Sequence, residues 1–288
     1  KKKKLIVDEA AIIPNEEYFT RDLRPALSTF KDSRCLWIST PRGKGNYLYN
    51  YYLRGSDQEY PDWGSALFTW RSNPLLSEND VKEARKAVSR ALFAQEYECE
   101  WTTTEAQIYE SLDEVKHIGE YVGERFSEVI AGLDVGYRDD NVFVVIGFDG
   151  KSYYIIDEYV SKESTTSELA ARIQEKMDEW SIDTIYIDSA AQQLKADFAY
   201  DYDIYCENAV KSVNDGINYL QVLIEQDNLF FDALGSSHCF SAMSSYRWNP
   251  NTETPKPVHD WTSHPCDAIR YAIYTHSKMS NISIYAHG

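Results

Sequence analysis

The chain has 288 residues, of which 43% are hydrophobic and 14% aromatic, a length and composition that suit one large or two ordinary globular domains. No apolar run approaches the roughly 20 residues that a membrane-spanning helix needs, and the basic start precedes too short an apolar run for a secretory signal. The net charge of −17 argues against a broad basic surface for nucleic acid, but it is compatible with a local site that binds cations.

The first part of the chain predicts a strand–helix–strand unit. Apolar runs at Leu5–Val7 and Cys35–Ile38 predict two strands, with a helix between them over residues 16–30. This order is typical of a parallel sheet with functional loops at the carboxyl ends of the strands. Apolar residues at three- and four-residue steps then predict one helix over residues 78–97.

The second part of the chain begins after a polar, irregular stretch over residues 102–123, which predicts a domain boundary. Three antiparallel strands followed by alternating helices and strands form the order of a ribonuclease-H-like α/β domain. The helix that follows the third strand is capped by Ser164, Thr165 or Thr166. The predicted strands are 129–135, 142–148, 152–160, 184–187 and 204–206, with turns at 136–141 and 149–151, and the helices are 166–180, one from Ala190, 213–226 and about 265–276.

Three aspartates occupy positions where their side chains can converge. Asp134 and Asp188 each end an apolar strand-like run, and Asp267 lies in the first turn of the last helix. Neighbouring strands lie about 4.8 Å apart, so two strand ends and one packed helix can bring carboxylates to a common point. Such carboxylates repel one another unless cations neutralise them, and Mg²⁺ or Mn²⁺ suits an oxygen-only site. The pattern therefore predicts that Asp134, Asp188 and Asp267 bind two metal ions and catalyse phosphodiester hydrolysis.

The same residues also have ordinary structural interpretations. An aspartate at a strand end is often a helix cap or a turn residue, and Asp267 alone is also a typical partner for a helix N-terminus. Asp139 or Asp140 is either an auxiliary ligand or part of a solvated turn. Asp260 and His264 either flank the site or belong to an ordinary loop. The combination of three aspartates in the expected order of elements favours the catalytic interpretation.

The segment after the first strand has the form of a Walker B motif. In that interpretation Asp8 binds Mg²⁺, Glu9 orients or deprotonates the attacking water, and Thr40 in the Ser-Thr-Pro triplet senses the γ-phosphate. No G-x-x-x-x-G-K-[ST] motif occurs in the sequence, so a phosphate-binding loop is missing. We therefore expect either ATP binding that needs an upstream segment or the remnant of an ATPase. We interpret Lys1–Lys4 as a sign of truncation and not as a targeting signal.

These motifs, in this order, resemble the large terminase subunit family, the DNA-packaging motors of tailed bacteriophages and herpesviruses. The resemblance covers nearly all of the chain, and its most specific part is Asp267–Tyr271. The segments that carry it are a Walker B segment at Leu5–Ala11, a coupling motif at Ser39–Gly43, the stretch closing the ATPase half at Phe93–Trp101, and nuclease motifs at Gly132–Asp139, Ile185–Ser189 and His264–Ala272.

This resemblance implies a domain organisation, an activity and partners. It implies a partial ATPase domain with its linker helix over residues 1–104, a linker over 105–125 and a ribonuclease-H-like nuclease domain over 126–288. The implied activity is an endonuclease that cuts concatemeric double-stranded viral DNA during ATP-driven packaging into the capsid. Lys211 ends the segment Asn208–Lys211, which also resembles the family, and its side chain either contacts a DNA phosphate or is solvated. The implied partners are double-stranded DNA, the portal protein and the small terminase subunit, with a monomer in solution that assembles on the portal.

Compartment and function class leave some choices open. The five cysteines, odd in number and without a CxxC pair, indicate a reducing compartment, and the resemblance implies the host cytoplasm at the portal vertex of the capsid. One alternative is a non-catalytic module that docks on the portal or DNA; it predicts no Mn²⁺ binding and no effect of Asp134→Ala. Another is a transposase- or resolvase-like nuclease of the same fold, in which the Walker B-like segment is unexpected.

Overall fold

The chain forms two compact units, one made of Lys1–Ala106 with Trp248–Pro257 and the other of Gln107–Arg247 with Val258–Gly288. Both units combine helices with strands, which confirms the predicted α/β class. Among the helices that the structure describes, none is both long and apolar enough to span a bilayer. The computed structural model describes residues 4–13, 16–27, 32–44, 46–101, 107–136, 140–249, 252 and 255–286.

The first unit is built around two parallel strands, β1 (Lys4–Val7) and β2 (Arg34–Trp37), in which Leu5 pairs with Cys35 and Val7 with Trp37. Both strands lie within a residue of their predicted positions. The helical elements are a 3₁₀ turn at Ala10–Ile12, a π-helical turn at Tyr18–Leu23 that continues as α1 (Arg24–Leu27), α2 (Tyr47–Arg54), a 3₁₀ turn at Trp70–Ser72, α3 (Glu78–Ala87) and α4 (Arg90–Glu96).

Two helix predictions in the first unit need correction or remain incomplete. The single helix predicted over residues 78–97 is wrong, because the chain is extended at Val88 and α4 starts anew after Ser89. The Ser89 hydroxyl accepts a hydrogen bond from the backbone N–H of Leu92 at 3.2 Å, an N-cap that ends one helix and begins another. The helix predicted over 16–30 is helical from Tyr18 to Leu27, and residues 28–31 lie outside the described part of the chain.

Aromatic packing and buried hydrogen bonds fix the loop that follows β1. Trp37 stacks on Trp63 with ring centroids 5.3 Å apart, and this pair packs against the core of the unit. The hydroxyl of Tyr47 donates to the carbonyl of Ala10 at 2.6 Å, and the buried amide of Asn46 donates to the carbonyl of Ala11 at 3.0 Å. The start of α2 therefore holds the residues that immediately follow Asp8 and Glu9.

In the residues that the structure describes, the second unit contains a mixed sheet of seven strands: β3 (Ile118–Gly119), β4 (Glu128–Asp134), β5 (Asp140–Phe148), β6 (Tyr153–Lys162), β7 (Thr184–Ile187), β8 (Cys206–Asn208) and β9 (Leu229–Asp232). Their spatial order is β3-β9-β6-β5-β4-β7-β8. Antiparallel pairs join β4 to β5 and β5 to β6, while β4 and β7 run parallel, as do β7 and β8. The helices of this unit are α5 (Glu114–His117), α6 (Thr166–Trp180), α7 (Gln192–Asp201), α8 (Val213–Glu225), α9 (Ser237–Ser245) and α10 (Ser263–Ala286).

Strand alternation divides the side chains of β4 between two helical layers. Ala131 and Leu133 point into a buried cluster with side chains of α6 and α7. Gly132 points to the other face, where α10 crosses, because a Cβ atom built on it would lie 1.9 Å from the carbonyl oxygen of Ala268. Only a glycine lets the helix backbone come this close to the strand. The alternation of side chains then sends Asp134 to the same face as α10.

Most elements predicted for the second unit are confirmed, and the misses have physical causes. Helix α6 has its predicted bounds and begins with a capping box in which Thr165 and Glu168 exchange hydrogen bonds. The strand predicted at 204–206 is displaced to Cys206–Asn208, because its ladder with β7 begins at Cys206. The predicted turn at 136–141 ends in β5, and residues 137–139 lie outside the described chain. The last helix runs from Ser263 to Ala286, longer at both ends than predicted, so the placement of Asp267 in its first turn is wrong and Asp267 lies beyond that turn. The elements α5, β3, β9 and α9 were not predicted.

Candidate active site

Asp134 and Asp188 lie at the carboxyl ends of two adjacent parallel strands. The last registered pair between β4 and β7 is Leu133 with Ile187, so the next residue on each side is one of the two aspartates. Adjacent strands are about 4.8 Å apart, which puts the two backbones within reach of a shared ligand. Hydrophobic runs with β-branched residues form both strands, and an aspartate stands at the end of each run.

Helix α10 brings Asp267 to the same place. Asp267 precedes Ala268, the residue whose carbonyl oxygen faces Gly132 of β4. Tyr271 lies one helical turn after Asp267. Burial raises the pKa of its phenol, the charges of Asp267, Asp134 and Asp188 raise that pKa further, and Arg270 lowers it. The packing of α10 across Gly132 thus brings the helix turn that carries Asp267 to β4, the strand that ends in Asp134.

Each of the three aspartates is paired with a basic side chain. Asp134 Oδ2 lies 2.7 Å from Nδ1 of His264, and Asp188 Oδ1 lies 2.5 Å from Nζ of Lys211. Asp267 Oδ1 accepts hydrogen bonds from Nη2 of Arg270 at 2.8 Å and from Nε at 3.3 Å. In every pair the contact falls on one carboxylate oxygen, and in two of the pairs the partner is a cation, Lys211 or Arg270, that balances part of the negative charge of the cluster. Of these three bases, Lys211 was predicted as a DNA contact and His264 as a flanking residue, whereas Arg270 was given no role.

The three pairs differ in how firmly the base is held. The side chain of Arg270 is 3% exposed and that of Lys211 50% exposed, so the arginine is enclosed and the lysine can move into solvent. Burial works against the charged form of Asp188, but the hydrogen bond from Lys211, the N–H of Ala190 and the nearby positive charges together hold its pKa below the usual value. Burial raises the pKa of Asp267, and the charge of Asp134 adds to that rise while Arg270 opposes it.

The geometry of this cluster is that of a charge-paired site. Within the part of the chain that the structure describes, no group of three histidine, cysteine, aspartate or glutamate side chains is arranged to hold a metal ion. One oxygen of each carboxylate instead faces a basic side chain, which is His264, Lys211 or Arg270. The donor chemistry nonetheless fits a hard divalent cation, since three carboxylates on adjoining backbone positions are oxygen ligands with a surplus of negative charge.

The other predicted residues near the cluster, Asp140, Asp260 and His264, each contact a neighbouring side chain or backbone group. Asp140 begins β5 and lies 3.6 Å from Lys162, while Asp139 lies outside the described residues. The carboxylate of Asp260 accepts a hydrogen bond from the N–H of Thr262 at 2.9 Å, which closes the turn before α10. His264 touches Asp134 itself, and its ring lies 5.6 Å from that of His259.

In the first unit, the two predicted nucleotide motifs lie at one edge of the small sheet. Asp8 and Glu9 follow β1, and the Ser-Thr-Pro triplet with Thr40 follows β2. The hydroxyl of Ser39 accepts a hydrogen bond from the N–H of Ala11 at 3.2 Å, which ties the two loops together. Glu9 has a positive φ of 50°, a left-handed backbone that is unusual for a residue with a side chain and is found at strained functional turns.

Two family models match successive parts of the chain. The first is described as "Terminase large subunit, T4likevirus-type, N-terminal" and matches residues 2–116. The second is described as "Terminase RNaseH-like domain" and matches residues 131–275, which contain all three aspartates of the cluster.

Individual relatives agree with these models. The chain is 39% identical to the large terminase subunit of Escherichia phage T5 over 289 aligned residues, which cover 95% of this chain and 65% of the phage protein. The large terminase of a thermophilic bacteriophage has a similar fold, with a TM-score of 0.72 and 19% identity, covering 96% of this chain and 68% of that one. The nuclease domain of the P22 large terminase matches with a TM-score of 0.51 and 17% identity, covering 60% of this chain and 93% of that domain.

Proposed function

The chain belongs to the family of terminase large subunits, and we propose that its second unit is a divalent-metal-dependent endonuclease that cuts concatemeric double-stranded viral DNA during ATP-driven packaging. The observation that carries the proposal is that Asp134 and Asp188 follow the last registered pair of two adjacent parallel strands, and that α10, which carries Asp267, packs across Gly132 of the first of them. The chain spans about 65% of the length of the T5 protein that it resembles, so the activity of a whole terminase is part of the proposal. In it, residues 1–104 are the partial ATPase domain, 105–125 the linker and 126–288 the nuclease. The linker of this proposal includes α5 and β3, which are part of the second unit.

Asp134, Asp188 and Asp267 are the ligands of two Mg²⁺ or Mn²⁺ ions in this proposal. Ions held by these three carboxylates would supply an activated water molecule and charge stabilisation for the leaving 3′ oxygen of the cut phosphodiester. The protein's part is to fix the backbone positions of the three aspartates on two strand ends and one helix. Lys211 gives up its contact with Asp188, and Arg270 stays in place and continues to balance the charge of Asp267.

The metal requirement is the direct test of this function. We expect the purified chain to nick and then linearise supercoiled plasmid in Mn²⁺, to lose that activity in EDTA, and to regain it when excess Mn²⁺ is added. The physical reason is that the carboxylates alone repel a phosphate, whereas bound divalent ions reverse the sign of the local field. Gel electrophoresis gives the cleavage rate, and isothermal titration calorimetry gives the stoichiometry of Mn²⁺. Cleavage that continues in EDTA excludes the metal mechanism, and absence of both Mn²⁺ binding and cleavage favours a docking module.

Lys211 has two partners in turn in this proposal, Asp188 in the metal-free protein and a DNA phosphate during cutting. We expect Lys211→Gln to bind Mn²⁺ more tightly by up to about fivefold, the scale of a half-exposed ion pair, because a competing ammonium is removed. The same variant binds duplex DNA more weakly, because a phosphate contact is lost. Calorimetry and fluorescence anisotropy measure the two changes. Affinities that stay equal to those of the wild type rule out both roles of Lys211.

The first unit contributes part of a nucleotide site in this proposal. Asp8 binds Mg²⁺ and Glu9 orients the attacking water at the end of β1, while Thr40 senses the γ-phosphate from the end of β2. The sequence has no Walker A motif, so ATP hydrolysis needs a phosphate-binding loop from outside this sequence. The large terminase of the thermophilic bacteriophage, which has a similar fold, forms complexes with ADP and ATP-γ-S.

The partners and location follow from the same proposed role. The protein acts on double-stranded DNA with the portal protein and the small terminase subunit, in the host cytoplasm at the portal vertex of the capsid. It is a monomer in solution and assembles into an oligomer on the portal.

A further inference from the structure

Along one edge of the seven-stranded sheet, two lysines stand next to the acidic cluster. Lys195 of α7 donates a hydrogen bond from Nζ to Oδ1 of Asn208 at 2.7 Å, and Lys211 lies 2.5 Å from Asp188. Asn208 is the last residue of β8 and pairs with Ile187, the residue just before Asp188. The amide that holds Lys195 is therefore one strand away from the acidic cluster.

The backbone between the two lysines is tightly fixed. The N–H of Ala209 donates to the carbonyl of Ile187 at 2.9 Å, and the N–H of Val210 donates to the hydroxyl of Thr275 in α10, also at 2.9 Å. Thr275 is fully buried, so this anchor is part of the core of the unit. Lys211 leaves the sheet directly after these two hydrogen bonds, at a position that the sheet and α10 both define.

The charges along this edge differ from those of the chain as a whole. The net charge is −17, so a duplex meets general repulsion and needs cations close to the cut. Lys195 is held by a neutral amide, and the hydrogen bond between them is exposed, so its positive charge faces solvent without being cancelled by that partner. A lysine in this setting is suited to a phosphate, which it contacts as a point charge.

Resting on the proposed nuclease function, we infer that Lys195, Asn208 and Lys211 form a phosphate-binding strip that holds the backbone of the cut DNA strand beside Asp188. Lys211 takes the phosphate nearest the metal cluster, and Lys195 takes one farther along the same strand. Asn208 keeps the Lys195 ammonium at the end of β8 and offers its own amide to the backbone. Contacts of this kind set the position of the duplex and carry no sequence information.

The salt dependence of DNA binding tests the strip. We expect Lys195→Gln to make the slope of log K against log salt less negative by about one, and to lower duplex affinity about three- to tenfold at moderate salt. Fluorescence anisotropy with a labelled duplex in EDTA measures binding without cleavage. Mn²⁺ affinity stays at the wild-type value, because Lys195 contacts Asn208 and not one of the three aspartates.

A matched control and a second readout separate the outcomes. Lys151→Gln removes an exposed lysine from the turn between β5 and β6, at the opposite end of the strands, and leaves the slope unchanged. A wild-type slope in Lys195→Gln, with or without a lower melting temperature, overturns the strip and leaves Lys195 as a tether between α7 and β8. The nuclease proposal is judged separately by wild-type cleavage in Mn²⁺, so that failure of the strip and failure of the proposed function are distinguishable.

Discussion

The Asp188→Asn variant is expected to lose DNA cleavage by about 10²–10³-fold or more, on the scale of removing one group that stabilises the transition state. Asparagine keeps the size of the side chain, and its carbonyl can still accept the hydrogen bond that Ala190 donates at 2.8 Å. It lacks the negative charge that draws a divalent ion, so the Mn²⁺ affinity falls together with the cleavage rate. Because the ion pair with Lys211 is partly exposed, the loss of stability is at most about 1 kcal/mol.

The matched control for this variant lies at the other end of the same strand. Asp183 directly precedes β7 and accepts a hydrogen bond from the N–H of Val129 at 2.8 Å. An asparagine there retains an acceptor for that N–H, so Asp183→Asn is expected to cut plasmid at the wild-type rate. Plasmid cleavage in Mn²⁺ and circular dichroism are measured for both variants. Wild-type cleavage by a folded Asp188→Asn protein would remove Asp188 from the mechanism.

Replacing Gly132 by alanine is the second change from which we expect a large effect. The new Cβ would lie 1.9 Å from the carbonyl oxygen of Ala268 and 3.2 Å from the Cβ of Ala272. The first of these is a backbone atom, so rotating a side chain cannot relieve the overlap and α10 must move away from β4. Overpacking of this kind costs about 1–3 kcal/mol of unfolding free energy. The displacement also carries Asp267 away from Asp134, so Mn²⁺ affinity and cleavage fall as well.

Gly64 provides the control for the glycine substitution. Nothing lies within 4 Å of a Cβ built on Gly64, so Gly64→Ala is expected to leave the melting temperature nearly unchanged. Thermal unfolding and Mn²⁺ titration are measured for both variants. A Gly132→Ala protein with the melting temperature and Mn²⁺ affinity of the wild type contradicts the close packing of α10 on β4.

Local sequence patterns were enough to predict the elements that carry the site. Apolar runs predicted β4 and β7. In the structure Asp134 is the last residue of β4, and Asp188 directly follows β7. The threonine cap fixed the start of α6. Such signals are local, because they depend on alternation and capping within a few residues. The assignment of catalytic and metal-binding roles to Asp134, Asp188 and Asp267 stays a prediction that the experiments above address.

Other features depend on tertiary structure and left no clear local signal. Strand β9 is a four-residue run next to a turn, and α9 is rich in serine, so neither has a strong local signal in the sequence. Their partners come from the tertiary structure: β9 pairs within the sheet, and the carboxylate of Glu158 accepts a hydrogen bond from the N–H of His238 in α9. The pairing of His264 with Asp134 joins residues far apart in the chain and follows from the packing of α10. By contrast, Asp267 and Arg270 are three residues apart on one helix, a spacing from which their ion pair was predictable.

The order of the three aspartates along the chain has a consequence for biosynthesis. Asp134 ends the first long strand of its unit, whereas Asp267 arrives only with the final helix. A ribosome-bound chain that stops short of α10 already contains the sheet positions of Asp134 and Asp188 but no third carboxylate. In the proposed mechanism, cutting competence therefore appears only after translation has passed α10 and the helix has docked across Gly132, and an unfinished polypeptide is expected to leave the nucleic acid around it intact.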